Sequence, residues 1–209
     1  MADVIEIAGA GPAGLAAAIT LAQAGRKVVG YECRPHVGYR FRRDLQGMEN
    51  WTTEKDVLMV LSGLNITTEF RKVALPQGYV FDAFDNRYPI NSRAPLFYLL
   101  ERGPEPGSFD SALLDQARNL DVDVRFNTRA ERFSNLGILA SAPKAADAIA
   151  VGYHFDTDMA NGFWAICDDH LAPKGYAYLL VMDGKGTVKS CMFSDFKREH
   201  DYVARTVGV

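Results

Sequence analysis

The apolar positions open on a short run, Val4, Ile5 and Ile7, which predicts a strand. A glycine turn follows, Gly9-Ala10-Gly11-Pro12-Ala13-Gly14. Residues 15–24 are rich in Ala and Leu and close on Gly25, which predicts a helix. Residues 27–31 predict a second strand ending at Glu32, completing a βαβ unit of about thirty residues. Residues 54–61 have helical spacing. Residues 65–98 read as strands around a hairpin turn at Asp85-Asn86-Arg87. The cluster Gly103-Pro104-Glu105-Pro106-Gly107 marks a boundary, after which Ser108 can cap a helix through about residue 119, with Phe109, Leu113, Leu114 and Ala117 on one face. Residues 122–126 and 137–142 predict two more strands. Residues 148–156, 164–167, 176–182 and 187–193 continue in strands, the last pair linked by Gly184-Lys185-Gly186. The alternation of α/β with β-rich text predicts two interleaved domains.

Composition narrows the class. The chain has 209 residues, 48% hydrophobic and 23% charged, which is ordinary for a folded globular protein. A formal charge of −3 lacks the basic footprint of a nucleic-acid binder. Three widely spaced cysteines, Cys33, Cys167 and Cys191, do not suggest a disulfide framework, and the acidic start does not suggest a signal peptide; a cytoplasmic setting is expected. Residues 7–25 are apolar, but the glycine turn interrupts them, so no transmembrane segment is predicted.

Gly9, Gly11 and Gly14 fit G-x-G-x-x-G between a strand and a helix. Gly9 permits the tight turn, Gly11 lets the backbone approach a pyrophosphate, and Gly14 lets the helix pack closely on the sheet. Unpaired N–H groups at the helix start, with Pro12 at the first helical position, favour phosphate. Glu32 ends the second strand, where a carboxylate can accept hydrogen bonds from both ribose hydroxyls and repel a 2′-phosphate, against NADP at that place.

The run GAGPAGLAAAITLAQAGRKVVGYECRPHVGYRF resembles the amino terminus of flavoprotein oxidoreductases. More narrowly it resembles the geranylgeranyl reductase branch of the p-hydroxybenzoate hydroxylase-like superfamily. Further features carry the likeness: Cys33-Arg34 and Val37-Gly38-Tyr39-Arg40 after Glu32; Arg102 with Phe109-Asp110-x-x-Leu113; the segment from Asn135 to Ala142; and Lys174-Gly175-Tyr176-Ala177-Tyr178. The resemblance implies an α/β fold in which a Rossmann-like FAD/NAD(P)-binding domain (residues 1–50 and 103–147) is interleaved with an antiparallel β-sheet substrate domain (51–102 and 148–209). It implies FAD as cofactor, with Gly9, Gly11, Pro12, Ala13, Gly14 and Glu32 at the adenosine half. Cys33 and Arg34 would lie in the flavin-contacting loop, Arg40 near the pyrophosphate or flavin, and the backbone near Ala130 at the adenine edge. The isoalloxazine would face the antiparallel sheet, where Tyr176 and Tyr178 would meet an apolar or ring-containing substrate and the flavin would pass a hydride at N5. The Asp-Gly motif of the hydroxylases is absent from residues 141–147, and the Gly-Asp motif has not appeared by Val209. The expectation is therefore a C-terminally shortened homologue, open to self-association or a partner at an incomplete sheet and to peripheral membrane contact. A non-catalytic dinucleotide-binding homologue and an NAD-dependent dehydrogenase stay open as alternatives.

Other residues carry weaker chemistry. Cys167 and His170 have no second ligand pair, so no metal site is expected, and Cys167 reads as an inward strand residue. His36 reads as a surface loop histidine. Tyr176 and Tyr178 share one face of a strand. Arg40, Arg42 and Arg43 form a basic cluster beside Asp44. Phe81, Phe84, Tyr88, Phe97 and Tyr98 read as sheet core.

Overall fold

The computed structural model describes residues 4–130, 132–134, 136–142 and 145–209. In chain order the elements are β1 (Ile5–Ala8), α1 (Pro12–Gln23), β2 (Val28–Tyr31), β3 (Asp44–Glu49), α2 (Val57–Gly63), β4 (Lys72–Leu75), β5 (Gln77–Asp82), β6 (Arg87–Asn91) and β7 (Phe97–Arg102). There follow α3 (Phe109–Asn119), β8 (Asp123–Arg125), β9 (Gly137–Leu139), β10 (Ile149–Asp156), β11 (Gly162–Cys167), β12 (Tyr176–Met182), β13 (Lys185–Met192) and α4 (Glu199–Val207). They form two compact units: Met1–Arg43, Thr53–Arg71 and Glu101–Pro143 in the first; Asp44–Thr52, Lys72–Leu100 and Lys144–Val209 in the second. Asn135, at the start of the segment expected to close over the cofactor, lies outside the described residues.

The first unit holds a parallel sheet of order β8-β2-β1-β9. Every residue of β1 is buried, as a central parallel strand requires. Its core joins Ile7 and Val28 of the sheet to Leu15 and Ile19 of α1 and to Leu113 and Ala117 of α3. Ser108 caps α3 as its sequence predicts, its hydroxyl oxygen accepting the Ser111 N–H at 3.1 Å. Beside this cap lies a buried ion pair. Arg102 Nε and Nη2 donate to the two oxygens of Asp110 at 2.7 and 2.9 Å, and the Gly103 N–H adds a third bond at 3.0 Å. The Asp110 side chain is 1% exposed, and the guanidinium lies over the Phe41 ring, 4.4 Å from its centroid. The chain around Gly38 packs so tightly on Gly103 that a Cβ at Gly38 would come within 2.7 Å of the Gly103 Cα. The end of β7, the start of α3 and the loop after β2 are thus tied together.

The second unit holds a six-stranded sheet of order β10-β13-β12-β11-β5-β6 and a three-stranded sheet of order β3-β7-β4. The larger sheet is antiparallel except where β11 runs parallel to β5. Leu45, Leu75, Leu99, Leu180 and Met182 make its core. α4 packs against β13, with the Ser190 and Thr206 hydroxyls 2.7 Å apart.

Several sequence expectations are corrected here. α1 begins at Pro12 rather than at residue 15, and the β12–β13 turn is Asp183-Gly184, both in the left-handed region, with Lys185 already in the strand. Residues 44–49 form β3 in the second unit, where Leu45 is fully buried, rather than part of the nucleotide-binding domain. Residues 53–71 belong to the first unit: the Gln23 and Gln116 amides both donate to the Asn65 carbonyl, at 2.8 and 2.7 Å. The helix α4 lies in the second unit, where the sequence suggested no element. Cys167 is exposed, not inward. Phe84 and Tyr88 are 83% and 49% exposed, because they sit at the tip and on the edge strand of the β5–β6 hairpin.

Two predictions follow from these packing arrangements. Replacing Asp110 with Ala strands the Arg102 guanidinium, so Asp110→Ala should lower unfolding free energy by about 3–5 kcal/mol in urea denaturation; a loss under about 1 kcal/mol would show that the pair is not a tie. The Asp82 carboxylate is drawn down to about 2 by the Asn86 amide, then by the Phe84 N–H and the Tyr88 hydroxyl. Its folded pKa lies below the ordinary carboxylate value of 3.8, so its stabilisation of the hairpin is present above that value and lost as pH falls through about 2. An NMR titration of the Asp82 carboxyl carbon should give that midpoint, moving up toward the ordinary value in Tyr88→Phe/Asn86→Ala; an unshifted midpoint in the parent chain would refute the assignment.

Candidate functional site

The chain leaves β1 at Ala8 and turns at Gly9, whose φ is 106°. A Cβ on Gly9 would come within 2.5 Å of the Ala140 carbonyl oxygen, and one on Gly14 within 1.9 Å of the Gly9 oxygen. These two glycines are explained by the protein itself: no side chain fits between α1, the turn and the chain after β9. Gly11 differs. Among the described residues nothing lies within 4 Å of where its Cβ would stand. Packing does not demand a glycine there, but a ligand that must reach the backbone does.

Gly11 is the N-cap of α1, with extended backbone, and Pro12 takes the first helical position. The cap makes no side-chain hydrogen bond, and the first turn carries no acidic residue. The positive end of the helix is therefore not neutralised by its own side chains and is suited to an anion. The sheet order adds position. β2 and β8 lie on one side of β1 and β9 on the other, so the strand order reverses beside the glycine turn, at the carboxyl ends of the strands.

Glu32 is held against this turn. Its Oε2 accepts the Ala10 N–H at 3.0 Å and its Oε1 the Arg34 N–H at 2.9 Å. The Cys33 thiol lies 3.5 Å from Oε1. Oε1 thus accepts both the Arg34 N–H and the Cys33 thiol, whereas Oε2 keeps a second lone pair for a hydroxyl donor. The segment leading to Ala130 is fixed at the same rim, because the Thr128 N–H donates to the Glu32 carbonyl at 2.9 Å and the Asn127 N–H to the Arg34 carbonyl at 3.1 Å. Behind the turn, buried Glu6 accepts the Tyr31 hydroxyl at 3.0 Å, and burial followed by the Glu6 interaction raises the Tyr31 pKa.

Gly9, Gly11, Pro12, Ala13, Gly14, Glu32, Cys33 and Arg34 are thus brought into one neighbourhood of the first unit, and the chain reaches Ala130 two residues after Thr128. Arg40 is exposed on the loop anchored at Gly38. On the same loop the Arg34 guanidinium lies 5.0 Å from the Tyr39 ring centroid, and His36 is 5.1 Å from the same ring. Asp44 does not partner the neighbouring arginines as its place in the sequence suggests; it takes the Lys189 ammonium at 2.6 Å. Tyr176 and Tyr178 lie in the second unit with ring centroids 5.9 Å apart, on one face of β12 as expected. Burial, and then the Asp44 charge, push the Tyr178 hydroxyl pKa up strongly, so it stays protonated. Sequence reasoning missed two parts of this picture. The Ala10 N–H to Glu32 bond has no side-chain signature at position 10. Lys189 and Asp44 sit in different blocks of the sequence, and neither lies in a recognisable motif.

Residues 7–52 match the family of NAD(P)-binding Rossmann-like domains. No curated protein matches the chain in sequence. Among solved structures it is similar to a geranylgeranyl bacteriochlorophyll reductase-like protein from Thermoplasma acidophilum, with TM-score 0.71 and 16% identity over 99% of this chain and 62% of that one. It is also similar to p-nitrophenol 4-monooxygenase from Pseudomonas putida, with TM-score 0.65 and 14% identity over 97% of this chain and 60% of that one. A third likeness is to CtdE in complex with FAD, with TM-score 0.62 and 13% identity over 94% of this chain and 60% of that one. The chain therefore has the fold of these structures over about three-fifths of their length, a Rossmann-like parallel sheet with separate antiparallel sheets, and its residues 7–52 match the NAD(P)-binding Rossmann-like family model.

Proposed function

We propose that this chain is a flavin-dependent oxidoreductase that binds FAD at the glycine turn. The observation that carries the reading is the open space at Gly11, beside an uncapped helix start and a carboxylate fixed on the adjoining strand end. The N–H groups at the start of α1 would hold the pyrophosphate. Glu32 would accept the ribose hydroxyls, with Cys33, Arg34 and the backbone near Ala130 around the adenosine, and Arg40 toward the pyrophosphate or flavin. When bound, FAD supplies the hydride chemistry, and the protein supplies position and electrostatics. Two structures of the same fold support the reading by their names, one a monooxygenase and one a complex with FAD. The structural likeness to a geranylgeranyl bacteriochlorophyll reductase-like protein favours an apolar or ring-containing substrate, with Tyr176 and Tyr178 as the residues that would meet it.

The match to an NAD(P)-binding family supports a second reading, a dinucleotide-binding homologue without flavin chemistry. Calorimetry separates the two. Strong preference for FAD over NAD and ADP-ribose supports the flavoprotein; equal affinity for all three supports an adenosine-only site. Failure to bind any of them refutes both.

The glycines give a contrast specific to this site. Gly11→Val should fold with unchanged circular dichroism and a melting temperature lowered by only a few degrees, because its side chain enters open space and only the N-cap preference is lost, yet lose FAD retention. Gly14→Val should fail to fold, because its Cβ meets the Gly9 carbonyl. Glu32→Gln should weaken FAD binding by roughly 10- to 100-fold, the value of a hydrogen bond to a charged group. If Gly11→Val retains FAD like the parent chain, the glycine turn is not the pyrophosphate site.

A further inference from the structure

The second unit contains a buried pair of charges whose hydrogen-bonding capacity is incompletely used. Asp44 is 3% exposed and Lys189 8% exposed. The Lys189 ammonium donates to Asp44 Oδ2 at 2.6 Å, and the Gln46 amide reaches the same oxygen at 3.3 Å. Among the described residues the other oxygen, Asp44 Oδ1, has no hydrogen-bond partner. The ammonium carries three N–H donors, of which Asp44 takes one. A buried acceptor and buried donors therefore stand beside each other with bonds still to make, a costly arrangement unless something completes them.

The chemistry of the missing partner is narrow. It must donate to Oδ1 and can accept from Nζ. A carboxylate or phosphate would satisfy the ammonium but stand against Oδ1, and a cation would do the reverse. A water does both with one atom, and so does the neutral hydroxyl group of a ligand that displaces it.

The surroundings extend the argument. Lys189 lies opposite Tyr178 on β12 and opposite Gly152 on β10, so the three share one face of the sheet. A Cβ at Gly152 would meet first the Val188 carbonyl oxygen and the Lys189 Cα, so the closeness of β10 and β13 excludes a side chain beside Lys189 there. Tyr178 is half-buried, while Tyr176 is 42% exposed and His154 exposed. The pair thus shares its sheet face with the Tyr178 and Tyr176 rings, the second of them partly exposed.

We propose that Asp44 and Lys189 form a recognition site for the hydroxyl group of a small neutral ring-bearing molecule, with Tyr178 and Tyr176 as its wall. The proposal deepens the reading of Tyr176 and Tyr178 as substrate-facing residues and rests on that reading for the identity of the site. It does not depend on FAD being bound.

The test is an NMR titration of the full chain with phenol, cyclohexanol and benzoate, following the Lys189 Cε resonance, identified by its loss in Lys189→Met. Flavin binding is measured separately, so failure of the flavoprotein reading and failure of this one are told apart. Phenol or cyclohexanol, or both, should shift the resonance saturably, and benzoate should not. Asp44→Asn should weaken that response at least tenfold. The paired replacement Asp44→Leu/Lys189→Met, which buries no lone charge, should fold and leave the Tyr178 ring resonances unresponsive to either alcohol. No saturable shift with either alcohol, an equal response to benzoate, or an Asp44→Asn response equal to that of the parent chain would each overturn the proposal.

Discussion

A Cβ on Gly14 would stand within 1.9 Å of the Gly9 carbonyl oxygen, and one on Gly9 within 2.5 Å of the Ala140 oxygen. This steric closeness of three backbone segments fixes much of the nucleotide end of the molecule. It sets the distance of α1 from the parallel sheet, which lets Leu15 and Ile19 reach the core with Ile7. It aims the first turn of α1 past the ends of β1 and β9. It also leaves Gly11 as the one glycine of the motif whose missing side chain faces open space among the described residues, so packing accounts for two glycines of the pattern and not for the third.

The Arg102–Asp110 pair supports that arrangement from the other side. Asp110 accepts both arms of the guanidinium and the Gly103 N–H, so its charge is met by three donors although almost none of it reaches water. Such a pair is not an efficient source of stability compared with apolar packing, because desolvation offsets much of the attraction. Its directional bonds serve position instead. They hold Gly103 where the loop through Gly38 must pass, and that loop begins at Glu32 and Arg34.

Local signals made much of this legible in the sequence. The glycine turn, the strand ending at Glu32 and the Ser108 cap each act within a few residues, so spacing alone reveals them. What was hidden depends on distant partners. β3 is short and follows an arginine-rich loop, and only its burial with Leu99 and Leu180 makes it a strand of the second unit. α4 contains Val203, Thr206 and Val207, which have weak helix propensity, and it is held by packing on β13. Phe84 and Tyr88 have core-like chemistry but stand on a hairpin tip and an edge strand, where topology overrides hydrophobicity. Lys189 and Asp44 meet only because Asp44 opens β3 and Lys189 lies mid-way along β13, which no local pattern encodes.

Glu32 shows how local and tertiary constraints combine into selectivity. A carboxylate at a strand end is by sequence alone an ordinary solvated group. Here its two oxygens are pinned by N–H groups from the glycine turn and from its own loop, so the charge cannot swing away to admit an anion. A 2′-phosphate brought to that rim would lie against a fixed negative charge, whereas a 2′-hydroxyl would find an acceptor already oriented. On the proposed reading, the pinning that would make Glu32 a good ribose partner is what would turn it against NADP. A freely rotating glutamate would give the first property with much less of the second.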